Sequence, residues 1–106
     1  MSSLSTHVLD AVRGTPAAGV EVTLFDWGGD ELASGLTDAD GRITGLGSEL
    51  SIGDYRLRFA TGAYFAAQGV DAFYPEVSIA FTVAEERHHH VPLLLSPFAF
   101  STYRGS

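Results

Sequence analysis

The side chains best suited to acid–base chemistry in this sequence are four histidines, one at position 7 and the others in the triplet His88, His89 and His90. Histidine can take up or release a proton at physiological pH because its ordinary pKa is about 6.5. All four lie in predicted strands, where successive side chains point to opposite faces. His88 and His90 should therefore share one face. His89 points to the other face with Val91, and we interpret it as structural.

Two kinds of hydrolytic site could use these histidines. His88 and His90, with a third ligand such as His7, could converge on a zinc ion, but the spacing is nonspecific and no HExxH-type motif accompanies it. A Ser-His-Asp triad would need a strained nucleophile turn such as G-x-S-x-G, which the sequence lacks. Partly exposed strand histidines without a metal are the preferred interpretation, and the zinc site stays open as an alternative.

The composition excludes several other kinds of chemistry. The chain has a formal net charge of -7, six Arg, and neither Lys nor Cys. Schiff bases, thiol nucleophiles, thiolate metal ligands and disulfides are therefore excluded. Six scattered Arg cannot readily build the basic face that nucleic acid or an anionic membrane requires, so neither is an expected partner. The remaining chemistry must use His, Arg, carboxylate or hydroxyl groups.

The length predicts a single domain, residues 1–106, around one small core. Hydrophobic residues make up 45% of the sequence and charged residues 18%, which is typical of a globular protein. The first residues lack the basic and apolar stretches of a secretory signal, and no apolar segment is long enough to cross a bilayer. We therefore expect a cytoplasmic protein.

Short segments that alternate apolar and polar residues are separated by turns rich in Gly and Asp. This pattern predicts an all-β fold, an antiparallel sandwich or barrel with little helix. Besides the strands that contain the histidines, predicted strands cover residues 20–25, 31–37, 55–59, 77–83, 91–95 and 98–103. Turns are predicted at 28–30 and 38–41, because Gly adopts positive φ and Asp side chains bond to nearby backbone amides. Arg42 therefore follows directly after a turn.

Two further positions carry local signals. Thr61 is predicted to cap a short helix that runs through Ala67 and ends near Gly69. Pro92, which has no amide hydrogen, indicates a sheet edge or a bulge within the terminal strands.

Three ordered segments give the sequence a resemblance to a known family. They are Leu4–Asp10 with its histidine, the turn Asp40–Arg42, and the tail from His90 to Ser106, where HVPLLLSP is followed by STYRGS. Phe73–Pro75 and Gly14–Ala17 also fit. On these motifs the chain resembles the 5-hydroxyisourate hydrolases of the transthyretin-like family, over nearly its whole length.

This resemblance implies a fold, an activity and an assembly. The fold is a two-sheet, transthyretin-like β-sandwich of about eight strands with one short helix. The activity is hydrolysis of 5-hydroxyisourate to 2-oxo-4-hydroxy-4-carboxy-5-ureidoimidazoline in urate breakdown, with no metal or organic cofactor. The assembly is a homotetramer, a dimer of dimers that encloses a channel and has its active sites at the dimer–dimer interface.

The resemblance also assigns six residues to the active site. Those expected to be catalytic are His7, Arg42, His90 and Ser106, and those expected to bind substrate are Tyr103 and Arg104. A neutral histidine would take a proton from the attacking water. The arginine would hold carbonyl oxygens and stabilise the negative charge that develops on one of them.

A comparison within the family leaves one alternative and two departures. Hormone-binding transthyretin has other residues in place of the two histidines and lacks the Tyr-Arg-Gly-Ser ending, which favours an enzyme here. The alternative is a non-catalytic module that binds a small aromatic ligand. The family often has Tyr where His89 stands, and an aromatic-Gly-Tyr sequence where this chain has residues 98–100. The second departure could alter subunit contacts.

Overall fold

Nine strands and one helix run through residues 2–105, the part of the chain that the structure, a computed structural model, describes. The strands are β1 (Ser2–Asp10), β2 (Thr15–Pro16), β3 (Glu21–Asp26), β4 (Glu31–Leu36), β5 (Arg42–Leu50), β6 (Gly53–Phe59), β7 (Val77–Val83), β8 (His88–Ser96) and β9 (Ala99–Thr102). The helix α1 covers Thr61–Ala66. Every strand predicted from the alternation is present, and only the ends of the strands differ.

The strands form two sheets, which confirms the predicted β-sandwich. A five-stranded sheet has the order β2-β1-β8-β9, with β5 also paired to β1, and a four-stranded sheet has the order β4-β3-β6-β7. Within residues 2–105, β1 and β8 pair in parallel and the other strand pairs are antiparallel. The predicted antiparallel pairing is thus observed for every one of these strand pairs except β1–β8. Turn residues identify hairpins between neighbouring segments, but they carry no information on how the first strand pairs with one near the end of the chain.

One face of each sheet contributes to a shared apolar core. Leu4 and Val8 of β1 and Leu93 of β8 are fully buried, in one cluster with Leu57 and Phe59 of the other sheet. Burying such a side chain stabilises a fold by about 1.5–3 kcal/mol. Because strand side chains alternate, the opposite face of β1 and β8 points away from the core. That outer face carries three of the four histidines.

The helix forms where it was predicted, but its cap differs. The N-cap is Ala60, and Thr61 is already helical, with its hydroxyl buried and unpaired within residues 2–105. The prediction of a Thr61 cap is wrong. The amide of Ala60 still donates to Glu21 O of β3, so β6 passes directly into the helix and the cap falls one residue earlier. The end is as predicted: Gly69 has φ +69°, and the amide of Val70 donates to Phe65 O at 3.0 Å.

Pro92 lies neither at a sheet edge nor in a bulge, which corrects that prediction. β8 is an inner strand between β1 and β9. The β8–β9 ladder stops at the pair Leu93–Thr102 and resumes in the same register as a bridge between His90 and Gly105. The proline, which has no amide hydrogen to donate, therefore coincides with an interruption of the ladder. The hydroxyl of Thr102 donates to Pro92 O at 2.7 Å across this gap.

Candidate active site

The pairing of three strands brings His7, Arg42 and His90 onto one sheet face. His7 of β1 lies directly opposite Arg42 of β5. On its other side, β1 aligns His7 with Pro92 and Ser5 with His90. Opposite residues share a face, as do residues two apart on one strand. The two histidines and the arginine are therefore neighbours on the outer face of the five-stranded sheet.

A tight turn fixes the start of β5 beside His7. Asp38 Oδ1 accepts hydrogen bonds from the amides of Asp40 (2.9 Å) and Arg42 (3.0 Å). Gly41 has φ +75°, and its carbonyl accepts a hydrogen bond from the amide of Val8 at 2.7 Å. An ideal β-carbon at Gly41 would lie 2.4 Å from Val8 O. Glycine is thus required twice, for its backbone angle and for the close approach of the turn to β1.

Neighbouring charges and burial act together on His90. Partial burial lowers the pKa of His90 below its ordinary value of 6.5, and electrostatic interactions with Arg42, His7 and His88 lower it further, although a hydrogen bond to the Ser5 backbone acts in the opposite direction. The imidazole of His90 is therefore neutral at pH 7 and able to accept a proton. Its Nδ1 lies 2.8 Å from Ser5 Oγ, so this nitrogen is engaged by the protein.

The C-terminal segment lies directly on His90. The amide of Gly105 donates to His90 O at 2.9 Å, and Gly105 is buried. An ideal β-carbon at this glycine would lie 2.5 Å from Cδ2 of the imidazole ring. Gly105 is therefore held against the histidine. Ser106 lies outside the described residues, so its catalytic role stays a prediction.

A cavity next to His90 collects the two expected substrate-binding residues. Its volume is about 280 Å³, and its walls include His90, Tyr103 and Arg104 together with Ile79 and Phe81 of β7 in the facing sheet. His7 and Arg42 are not among the residues that line this cavity. Within one chain, the expected residues therefore form two groups that share His90. One group adds His7 and Arg42 on the sheet face, and the other adds Tyr103 and Arg104 around the cavity.

A second, larger cavity of about 820 Å³ lies on another part of the molecule, between β2 and α1. Arg13, Tyr64 and Gln68 are among its lining residues. None of the five expected site residues within residues 2–105 contributes to it, and no histidine of that range lines it. Acid–base chemistry therefore points to the histidine face and not to this groove.

The zinc alternative finds no support in the geometry. Across residues 2–105, no group of three or more His, Cys, Asp or Glu side chains is arranged to hold a metal ion. His89 faces the core as predicted, with 7% of its surface exposed, and its Nδ1 lies 3.0 Å from Arg87 O. The face assignments of the histidine triplet are confirmed.

Two residues that shape this site were missed by sequence reasoning: Ser5 and Gly105. The signal for Ser5 was available in part, because Ser5 and His7 are two apart on a predicted strand. Its contact with His90 depends on the β1–β8 pairing, which no local pattern predicts.

Comparison with known proteins places the chain in a family. Residues 4–105 match the HIUase/Transthyretin family. The chain belongs to that family. It is 49% identical to the 5-hydroxyisourate hydrolase of Salmonella dublin over 97% of this chain and 80% of the relative.

Solved structures of the family confirm the transthyretin-like fold. The 5-hydroxyisourate hydrolase of Klebsiella pneumoniae superposes with a TM-score of 0.92 at 44% identity, covering 100% of this chain and 94% of that one. Sea bream transthyretin in complex with thyroxine gives 0.91 at 37% identity, covering 97% and 94%. Hydrolases and a thyroxine-binding protein thus share this fold, and the choice between these activities depends on the site residues.

The sequence predicts no apolar segment long enough to cross a bilayer, and the helix content of the structure can be compared with that expectation. Within residues 2–105, no helix has the length and apolar character needed to cross a membrane.

Proposed function

We propose that this protein hydrolyses 5-hydroxyisourate to 2-oxo-4-hydroxy-4-carboxy-5-ureidoimidazoline. The observation that carries the proposal is the grouping of His7, Arg42 and His90 on one sheet face, with the pKa of His90 lowered by burial and by its cationic neighbours. The family relatives that carry the name 5-hydroxyisourate hydrolase give it independent support. Such a reaction needs a base, an acid and a group that stabilises an oxyanion.

His90 is the proposed general base. Water attacks a ring carbonyl of the substrate and must lose a proton as it does so. A histidine that is neutral at pH 7 can accept that proton, and the geometry leaves Nε2 for this role because Nδ1 is engaged by Ser5. His7 lies two positions along the neighbouring strand and is the proposed acid, which would donate a proton to the ring nitrogen that departs.

Arg42 is the proposed electrostatic group. Its guanidinium stays charged throughout and presents a planar set of donors that suits two neighbouring carbonyl oxygens. Within residues 2–105 no ion pair ties it to a carboxylate, so its charge is available to a substrate. It would stabilise the negative charge that forms on the attacked carbonyl oxygen.

Tyr103 and Arg104 are proposed to bind the substrate, and Ser106 to donate a hydrogen bond to substrate or water. Support for the first two is their place beside His90 around the 280 Å³ cavity.

Opening of the substrate ring is proposed to need no metal or organic cofactor. His90 takes the proton of the attacking water, His7 supplies the proton of the departing nitrogen, and Arg42 stabilises the charge on the carbonyl oxygen.

A homotetramer, a dimer of dimers, is proposed to complete the site. In one chain His7 and Arg42 lie on an open sheet face, where water would weaken every electrostatic interaction. A second subunit that covers this face would exclude water. Phe98 and Tyr103, at the ends of β9, have 68% and 60% of their surfaces exposed and could pack in such an interface. The cytoplasmic location stays a prediction, which cell fractionation would test.

The direct experiment follows the ultraviolet absorbance of 5-hydroxyisourate generated freshly by urate oxidation. Because this substrate also decays unaided, the same protein after heat denaturation serves as the control. We expect the folded protein to accelerate the decay in proportion to its concentration. Equal decay with folded and denatured protein would contradict the proposed activity.

A binding module is the second candidate, and the similarity to sea bream transthyretin favours it. Such a module would hold an aromatic ligand without changing it. A calorimetric titration with thyroxine, run beside the decay assay, separates the two. Tight binding of thyroxine together with no acceleration of decay would select the binding module.

A further inference from the structure

A continuous chain of hydrogen bonds joins His90 to the exposed end of the sheet face. Ser5 Oγ lies 2.8 Å from His90 Nδ1 and 2.8 Å from His88 Nε2. The other nitrogen of His88, Nδ1, lies 2.6 Å from Ser3 Oγ. The chain thus alternates hydroxyl and imidazole groups from Ser3 to His90. The parallel pairing of β1 with β8 produces it, because Ser3 aligns with His88 and Ser5 with His90.

We infer that Ser5 and His88 are positioning residues that set the tautomer of His90 and take up the positive charge created when His90 accepts a proton. The charge-transfer part of this inference rests on the hydrolysis proposed above. The tautomer part rests on the hydrogen bonds alone.

The tautomers of the two imidazoles are coupled because Ser5 has a single hydroxyl proton. If His90 Nδ1 carries a proton and donates to Ser5, and the hydroxyl donates onward to His88 Nε2, then His88 carries its proton on Nδ1. If Ser5 donates to His90 instead, both rings carry their protons on Nε2. The two neutral histidines therefore hold the same tautomer in either direction of the chain.

The first of these arrangements prepares His90 to act as a base. With the proton on Nδ1, the Nε2 nitrogen has a free lone pair. The side-chain hydrogen bond of the ring is made by Nδ1, to Ser5 Oγ, and the backbone of Ser5 also bonds to the imidazole. Ser5 and His88 would thus hold the ring ready for a proton from the attacking water.

The same chain can move a positive charge without moving a heavy atom. When Nε2 of His90 gains a proton, the proton on Nδ1 passes to Ser5 Oγ, and the hydroxyl proton of Ser5 passes to His88 Nε2. His90 is then neutral with its proton on Nε2, Ser5 keeps one proton, and His88 is an imidazolium. One proton has entered the chain and none is lost. The reverse transfer makes His90 an acid again.

Burial and charge favour this transfer toward His88. His90 is half-buried, and partial burial, followed by the electrostatic effects of Arg42 and His7, disfavours its imidazolium form. His88 is exposed to solvent, where water stabilises the charge. The titratable and charged groups that act on His90 are Arg42, His7 and His88. In this transfer His88 begins neutral, and passing the charge to it moves that charge toward solvent and away from Arg42 and His7.

Kinetics test the inference with paired variants. Ser5→Ala removes the linking hydroxyl, and Ser5→Thr keeps one. His88→Gln keeps a hydrogen-bonding group that cannot carry a charge, and His88→Ala removes it. The control is Ser34→Ala, an exposed serine of β4 in the other sheet. Circular dichroism verifies the fold of each variant.

We expect Ser5→Ala, His88→Ala and His88→Gln each to lower kcat by about tenfold or more with KM little changed. Ser5→Thr should recover most of the loss, and the control should behave as wild type. A wild-type kcat in His88→Gln would overturn charge transfer to His88. Should Ser5→Ala fail to fold, the other two variants still test the inference. A kcat near wild type in Ser5→Thr together with a loss in His88→Gln supports it, and equal kcat values in the two variants contradict it.

Nitrogen-15 chemical shifts of the histidine rings test the coupling without any substrate. In the wild-type protein, His88 and His90 should show the same neutral tautomer or the same mixture, and Ser5→Ala should remove that agreement. Different tautomers in the wild-type protein would overturn the coupling. If the wild-type protein fails to accelerate substrate decay, the proposed function is wrong, and these shifts still test the hydrogen-bond chain independently.

Discussion

Gly105 packs against the imidazole of His90 so closely that no side chain fits between them. An ideal β-carbon at Gly105 would lie 2.5 Å from Cδ2 of the ring and 3.1 Å from its Cγ, while the amide of Gly105 donates to His90 O at 2.9 Å. Gly105 and the proposed base thus constrain each other. A substitution at either residue should therefore change the position of the other.

Gly105→Ala should lower kcat by about tenfold or more while leaving the melting temperature almost unchanged. The new methyl group must displace the ring or the tail, and small misplacements of a catalytic group cost large factors in rate. Gly45→Ala is the matched control, because a β-carbon at Gly45 of β5 meets no atom within 4 Å. Decay kinetics of both variants check the prediction, and equal rates for the two would show that the close packing is unimportant.

Removing any of the three grouped side chains should abolish most activity without unfolding the sandwich. We expect His7→Ala, Arg42→Ala and His90→Ala each to reduce kcat by about 10²-fold, which is typical of an acid, a base or an oxyanion-stabilising group. Arg42→Lys should recover little, because an ammonium group lacks the planar set of donors. Wild-type rates in all three alanine variants would rule out this site.

The pKa of His90 predicts the acid side of the pH–rate profile. Burial lowers this pKa below 6.5, and Arg42, His7 and His88 lower it further. A lowered pKa keeps the ring neutral to more acidic pH, so the midpoint of the acid limb of kcat/KM should lie below pH 6.5. An acid limb centred above pH 6.5 would contradict His90 as the base.

The same reasoning predicts an effect of Arg42 on the titration of His90. In Arg42→Ala, a neighbouring positive charge is gone and the midpoint should move upward, toward 6.5, although burial still opposes protonation. An NMR titration of the His90 ring in both proteins measures this shift. An unchanged midpoint would mean that the arginine does not act on the histidine electrostatically.

Gly41→Ala should both destabilise the protein and reduce its activity. Its positive φ disfavours a side chain, and the added β-carbon would lie 2.4 Å from Val8 O, so the turn that positions Arg42 must shift. Gly29→Ala separates these causes, because Gly29 also has positive φ but its β-carbon would meet nothing within 4 Å. Thermal unfolding should show a larger loss for Gly41→Ala, and only that variant should lose activity.

Much of the fold follows from local patterns. The alternation that predicts a strand at Tyr55–Phe59 also gives the burial observed there, because side chains on a strand alternate wherever it lies. The Asp and Gly of the turn before Arg42 make the predicted bonds for the same kind of reason. The errors fall at Thr61 and Pro92, where pairing with a distant strand decides which residue is a cap and whether a strand is an edge.

The sequence by itself determined the faces: His88 and His90 on one side of a strand and His89 on the other, through the covalent geometry of an extended chain. Its motifs also indicated the family. Only the tertiary structure decided that Ser5 lies between two imidazoles and that Gly105 lies on one of them. Those contacts join residues from opposite ends of the chain, and their register is set by burial of the apolar faces of both sheets, which no short segment specifies.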